Sequence, residues 1–376
     1  MTVVLVAILI GDGLAWLALR ADDFYVFSPG TAPIITSSPS CRDGGGGNLT
    51  LPSGTPCARL DVPANLAHQI DGQLFMVDVY VGQATPLDYL RSELGPVGGL
   101  EEGTQLVPRG AVLGSTPQSQ LGCQDTQQMQ SSTSSAAVVA IRQLGYKVTE
   151  NQLGAQLYQI QPGTAATAAG LRCGDVVTAI GGKPVHSSQD LVNLLHGYKP
   201  GDQVMLTANR PDGKGGNKTV TVTAHLTGTP AIDGHAANPQ KAFLGVVAQD
   251  DTTFTFPFDV NIDVGDIGGP SAGLALTLGL LDVLSGGQLT GGHRIAATGT
   301  ISIDGKVGDV GGVAQKAVAV RKAGAQVFFV PPQEFTAARS HAGAMKVYAV
   351  STLTQALDDL KALGGHVPAS SSGQNG

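Results

Sequence analysis

Ser271 stands in the run Gly268-Gly269-Pro270-Ser271-Ala272-Gly273, and Lys316 ends Val310-Gly311-Gly312-Val313-Ala314-Gln315-Lys316. A serine hydroxyl attacks a carbonyl well only when a neighbouring group takes its proton, and a lysine amine does this if its surroundings keep it neutral. The chain has no His-Glu-x-x-His zinc signature and no Gly-x-Ser-x-Gly elbow. Lys316 is therefore the candidate base for Ser271. Each residue also has an ordinary reading: Gly-Pro-Ser-Ala-Gly before an apolar run is a good helix start, and a helix lysine is by default solvated.

The elements around the pair decide between these readings. Phe254 to Val264 alternates like a half-buried strand. Leu274 to Leu284 is almost wholly apolar and reads as a buried helix. A strand, a glycine loop and a helix would expose Ser271 at a helix N-terminus, where backbone N–H groups near Gly269 and Ser271 can hold a developing oxyanion. Downstream, Thr298 to Val307 reads as a hairpin turning at Asp304-Gly305. A helix follows from about Val313 to Ala323, closed by Gly324. Within it Lys316 has Val313, Ala317, Val318 and Val320 for neighbours, and an apolar setting penalises the ammonium form.

Positions 298–316 resemble, without a gap, the lysine segment of the Lon protease proteolytic domain, T-G-E-I-T-L-x-G-x-V-x-P-I-G-G-L-x-E-K. The serine run resembles that family's G-P-S-A-G, and the spacing of 45 positions between Ser271 and Lys316 matches it to within a residue or two. The resemblance implies that Ser271 is the nucleophile and Lys316 the general base. It places Ser302 where the family usually has a threonine whose hydroxyl bonds the lysine. Two departures from the family pattern bear on the site. Gly268 replaces an aspartate common three residues before the serine, leaving Asp266 as a candidate neighbour, and Thr300 replaces a glutamate.

Residues 147–226 resemble a PDZ domain. The resemblance rests on Ile160-Gln161-Pro162-Gly163-Thr164-Ala165-Ala166, on Ala169-Gly170-Leu171-Arg172-Cys173-Gly174-Asp175-Val176-Val177, and on a helix at about Ser188 to Leu195. It implies a groove that takes an extended peptide as an added strand. No Gly-Leu-Gly-Phe loop is evident before it, and Leu144 to Lys147 is the nearest substitute. Residues 24–146 hold strand-like pieces (Phe24 to Phe27, Leu74 to Val81), a short helix from Pro86 to Leu94 and a helix from Met129 to Leu144. Phe24 to Gly30 and Ala84 to Leu90 resemble the N-terminal part of bacterial membrane-anchored proteases that join a PDZ module to a Lon-like domain. The expected architecture is α+β and multidomain: a signal anchor at 1–20, an extracytoplasmic region at 24–146, the PDZ domain, a linker at 227–240, a Lon-like domain at 241–363 and a disordered tail at 364–376.

The 376 residues carry a net charge of −7 and only 14% charged side chains, with no basic stretch, which argues against nucleic-acid binding. Val3 to Leu19 is apolar apart from Gly11, Asp12 and Gly13. A signal anchor is the preferred reading, with a cleaved signal as its competitor. Cys41, Cys57, Cys123 and Cys173 lack the close spacing of a zinc site and suit disulfides outside the cytoplasm. Cys41–Cys57 with Cys123–Cys173 is the preferred pairing, and the other two arrangements stay open. The eight histidines form no cluster, and Asn48-Leu49-Thr50 reads as a loop. With no Gly-x-x-x-x-Gly-Lys-Ser/Thr loop, no nucleotide, metal or other cofactor is implied. The expected activity is an ATP-independent serine endopeptidase that cuts unfolded or extended protein segments at the extracytoplasmic face of a bacterial membrane. A silent PDZ adaptor, or a protease acting only on itself, is the rival. The Lon resemblance also implies a homo-oligomer, commonly a hexamer.

Overall fold

The computed structural model describes residues 16–95, 99–114, 116–212, 216–231 and 236–368. Most of the expected signal anchor, residues 1–15, and most of the expected tail, residues 369–376, lie outside the described residues. No helix among the described residues is long and apolar enough to cross a membrane. Residues 364–368 are docked rather than loose: the His366 N–H donates to the Gln288 carbonyl at 2.9 Å and Val367 packs on the core.

The chain forms two compact units that do not follow its linear order. One comprises residues up to Gly114, Met129–Lys147 and Phe256 onward, and the other Ser115–Gln128 and Val148–Thr255. Helix α1, Leu121–Gln143, supplies residues to both. It begins eight residues before the start expected from the sequence. Its first two turns are rich in glutamine, which hides the apolar period. Those glutamines are buried and their amide groups donate to backbone carbonyls: Gln124 Nε2 to the Tyr158 carbonyl at 3.3 Å and Gln127 Nε2 to the Leu157 carbonyl at 3.4 Å.

The unit containing residues 148–255 is built on a five-strand path. The long strand β1, Thr149–Ile160, pairs with Val176–Ile180 on one side, and Gln203–Pro211 and Asn217–His225 continue the sheet. Helix α2, Ser188–Leu195, is capped by the Ser187 hydroxyl accepting from the Asp190 N–H. Strand β2, Val246–Thr255, pairs antiparallel with β1 and forms the sheet's edge. Asp175 is fully buried in this unit and is held by Arg210 through two hydrogen bonds of 2.7 and 2.8 Å. A disulfide joins Cys123 to Cys173.

The other unit holds a seven-stranded sheet. Its order is Asn261–Asp263, Cys57–Asp61, Ile34–Thr36, Gln73–Phe75, then β3, Arg294–Ala297, then Val327–Val330 and Lys346–Ala349. Three of the seven strands thus come from before residue 115. β3 runs parallel to both its neighbours. Helix α3, Gly273–Leu284, is buried from Gly273 to Val283, as its apolar sequence demands, and helix α4, Val313–Lys322, carries Lys316. Cys41 and Cys57 form the second disulfide.

Two sequence expectations fail here for identifiable reasons. The strand expected from Phe254 to Val264 is two strands in different units, because Pro257 has no N–H to continue a ladder. The stretch expected as a linker instead pairs Thr227–Thr229 with Asn238–Phe243. Consequently 241–255 does not open the serine-bearing unit, which draws on the N-terminal region instead.

Candidate active site

The serine loop is pinned to the end of β3. Gly269 adopts φ +84°, a conformation in which a side chain would be strained, and α3 starts four residues later. Ser271 is half-buried ahead of α3. Its carbonyl accepts from the Gly299 N–H at 3.0 Å and from Thr298 Oγ1 at 3.2 Å, while the Gly299 carbonyl accepts from the Leu274 N–H at 3.1 Å. A Cβ on Gly273 would come within 2.8 Å of Ile301, so only glycine lets the helix start approach this closely.

α4 is entered through Gly312, in the left-handed region at φ +68°, where a Cβ would meet Val79 at 2.6 Å. One turn on, Lys316 is 3% exposed and its Nζ lies 3.3 Å from Thr298 Oγ1. Because the Thr298 hydroxyl spends its hydrogen on the Ser271 carbonyl, its oxygen is the acceptor for the amine. Lysine and serine loop are therefore joined through one buried threonine. Burial pushes the Lys316 amine down to about 8, against the opposing influence of the Asp78 and Glu334 carboxylates. Roughly a tenth of the lysine is then neutral at pH 7. Among the described residues the amine does not hydrogen-bond the Ser271 hydroxyl directly. Catalytic hydrogen bonds commonly tighten only when substrate is bound.

The hydroxyl expected on the lysine was Ser302, and the structure places it elsewhere. Ser302 is exposed in the hairpin tip, where its Oγ donates to the Asp304 carboxylate and accepts from the Lys306 N–H at 3.2 Å. Lys306 and Ser302 hold the Asp304 carboxyl down at about 2. Thr298 takes the expected role because it ends the apolar strand Ile295-Ala296-Ala297, whereas Ser302 lies beyond the turn into the hairpin. Asp266 does not face the lysine either. It is exposed and lies against Gly47, where a Cβ would approach Asp266 Oδ2 to 1.7 Å. The threonine had a sequence signal: it is the polar residue that closes an apolar strand just before a glycine.

Thr298→Val is expected to lower kcat on an unfolded protein about 10²-fold, the scale of a mis-aimed catalytic group. Thr298→Ser should stay within a few-fold of wild type. The midpoint of the pH–rate curve should fall below about 8 in the valine variant, because removing an acceptor disfavours the ammonium. A normal rate with an unmoved midpoint would show that Thr298 does not orient the amine.

The 148–255 unit has a second candidate site, a groove of about 240 Å³ between α2 and β2. Leu191, Val192 and Leu195 line one wall, and Leu244, Val246 and Ala248 the other. Among the described residues the outer side of β2 beside the groove, Val246 to Ala248, has no strand partner, so its backbone groups can accept an added strand. The chain enters β2 through Phe243-Leu244-Gly245, where Gly245 has φ +87° and a Cβ would meet Thr164 at 2.2 Å, both of which require glycine. Leu144 to Lys147, the segment the sequence offered for this loop, belongs to the other unit.

Two regions of the chain match known domain families. Residues 143–226 match the PDZ domain family, and residues 250–359 match the Lon protease (S16) C-terminal proteolytic domain. The chain is thus a mixed α/β protein carrying a PDZ domain and a Lon-type proteolytic domain, a combination that supports a serine peptidase. Among similar proteins, Lon protease 2 of Bacillus subtilis (strain 168) is 30% identical over 110 residues, covering 29% of this chain and 19% of that protein. Serine protease PepD of Mycobacterium tuberculosis is 39% identical over 82 residues, 21% and 17% of the two chains. The Lon protease of Ureaplasma parvum serovar 3 is 31% identical over 137 residues, 35% and 17%. The chain spans less than a fifth of the length of these relatives. Neither family match reaches β3's neighbour Gln73–Phe75, and the PDZ match stops short of β2.

Proposed function

We propose that the protein is a serine endopeptidase in which Ser271 is the nucleophile and Lys316 the general base, and that it cleaves unfolded or extended protein segments without ATP. The observation that carries this reading is the buried Lys316 amine, lowered to about 8 and bonded to the threonine that also holds the Ser271 carbonyl. In this scheme neutral Lys316 takes the Ser271 Oγ proton as the oxygen bonds to the scissile carbonyl carbon. The carbonyl π electrons move to oxygen, and N–H groups at the start of α3 stabilise the resulting charge. Lys316 then returns the proton to the departing amine, leaving an acyl ester on Ser271. Water, deprotonated by the same lysine, releases the product and restores the hydroxyl.

The groove between α2 and β2 would hold a substrate segment as an added strand. We place the enzyme on the extracytoplasmic side of a bacterial membrane, anchored by its apolar N-terminal segment. Two disulfides support an oxidising compartment, and the apolar run Val3 to Leu19 supports the anchor. The test of the chemistry is labelling with an alkyl fluorophosphonate at pH 8–9 without ATP, followed by peptide mapping. A single adduct on Ser271 is expected. Hydrolysis of an unfolded protein that persists while Ser271 stays unlabelled would overturn the assignment.

A further inference from the structure

We propose that Ser132, on α1, is a positioning residue that aims the backbone N–H of Ser271 into the oxyanion hole. The inference rests on Ser271 being the nucleophile. Ser132 is 5% exposed, and its Oγ donates to the Pro270 carbonyl at 3.1 Å. Both residues belong to the same compact unit. The Pro270 carbonyl and the Ser271 N–H share one planar trans peptide and point in opposite directions. Fixing one therefore fixes the other. The next peptide is held in the same way, since the Ser271 carbonyl accepts from the Gly299 N–H and Thr298 Oγ1, which sets the direction of the Ala272 N–H.

Among the described residues neither the Ser271 nor the Ala272 N–H has an acceptor. Each lies just ahead of α3, where N–H groups have no carbonyl one turn back to bond. Two donors are thus unspent beside the nucleophilic oxygen, and both are oriented from behind by hydrogen bonds to the carbonyl of their own peptide. Thr298 also serves the lysine, so its loss affects two functions. Ser132 serves only the Pro270–Ser271 peptide, which lets its contribution be isolated. Without its hydroxyl, the Pro270 carbonyl loses its buried donor and the peptide can rotate its N–H away from the site.

Ser132→Ala is expected to lower kcat by 10- to 10²-fold, with KM within about two-fold and an unmoved pH midpoint. The lower end of this range reflects a donor that is misdirected rather than deleted. The inhibition constant of a peptide boronate, whose tetrahedral adduct carries the oxyanion, should rise by the same factor as kcat falls. Ser132→Thr, which keeps the hydroxyl, should restore both. A wild-type kcat in a folded Ser132→Ala protein overturns the inference, as does a loss confined to KM or one not matched in boronate affinity. If the alanine variant does not fold, Ser132→Cys replaces it: the weaker thiol donor should give a smaller, still parallel, loss in kcat and boronate affinity, and unchanged values overturn the inference. Hydrolysis persisting in Ser271→Ala would instead defeat the functional reading itself. An inactive Ser271→Ala beside a fully active Ser132→Ala defeats the positioning role alone.

Discussion

Lys316→Met should reduce hydrolysis of an unfolded protein by about 10³- to 10⁴-fold, the loss seen when a general base is removed from a nucleophile–base pair, and should make the protein more stable at pH 7. The two effects have one cause. In the fold the lysine's affinity for a proton drops from the ordinary 10.5 to about 8 because its amine is shielded from water. Between those values the unfolded chain holds a proton that the folded chain does not, so stability rises with pH across the window. Below pH 8 the full penalty is present, on the order of 3 kcal/mol. Methionine fills similar space with no charge to desolvate, so the variant should gain some of that amount at pH 7. Urea titrations of both proteins at pH 7 and pH 10 provide the check. The gap should narrow at the higher pH, and no gain at pH 7 would mean that the amine is not sequestered. In the wild type, kcat/KM should climb with pH and level off above about 8, as the free enzyme's lysine loses its proton.

Ser271→Ala is the second large effect, at least about 10³- to 10⁴-fold in kcat, because no acyl ester can form. Unlike the lysine variant it should leave the pH dependence of stability in place, since the buried amine remains. The double variant should be about as inactive as either single one, as residues acting as a unit are strongly non-additive. Losses that multiply in the double variant would show two groups working independently and would refute the pairing.

How far these residues could be read without coordinates depended on whether their signals are local. Helix α3 announces its burial by a mostly apolar sequence, and Lys316 stands among valines and alanines, so the burial of the helix and of the lysine was legible. The partner of the lysine was not. Thr298 and Ser302 are both small hydroxyl residues in one short segment, and the choice depends on where β3 stops and the hairpin turns out to solvent. Gly299, at φ +146°, makes that change of direction. Strand pairing was still less visible. Ile34–Thr36 and Gln73–Phe75 are three residues each, too short to show a period of two, and their partners are remote in sequence. The alternation expected across Phe254 to Val264 was a real signal, but it belonged to two strands with different partners. In the first turns of α1 buried glutamines bond backbone carbonyls, a use that a hydrophobic pattern cannot register.

The placement of Gln73–Phe75 beside β3 has a consequence for synthesis. Translation delivers the early strands long before their partner, so the sheet that carries the serine loop stays open until most of the polypeptide has been made. The 148–255 unit, by contrast, has its strands in hand much sooner. A product cut short by a nonsense codon or a stalled ribosome would therefore keep the PDZ domain and lack the sheet of the Lon-type domain. Completion of the seven-stranded sheet is thereby postponed until the two halves of the polypeptide meet.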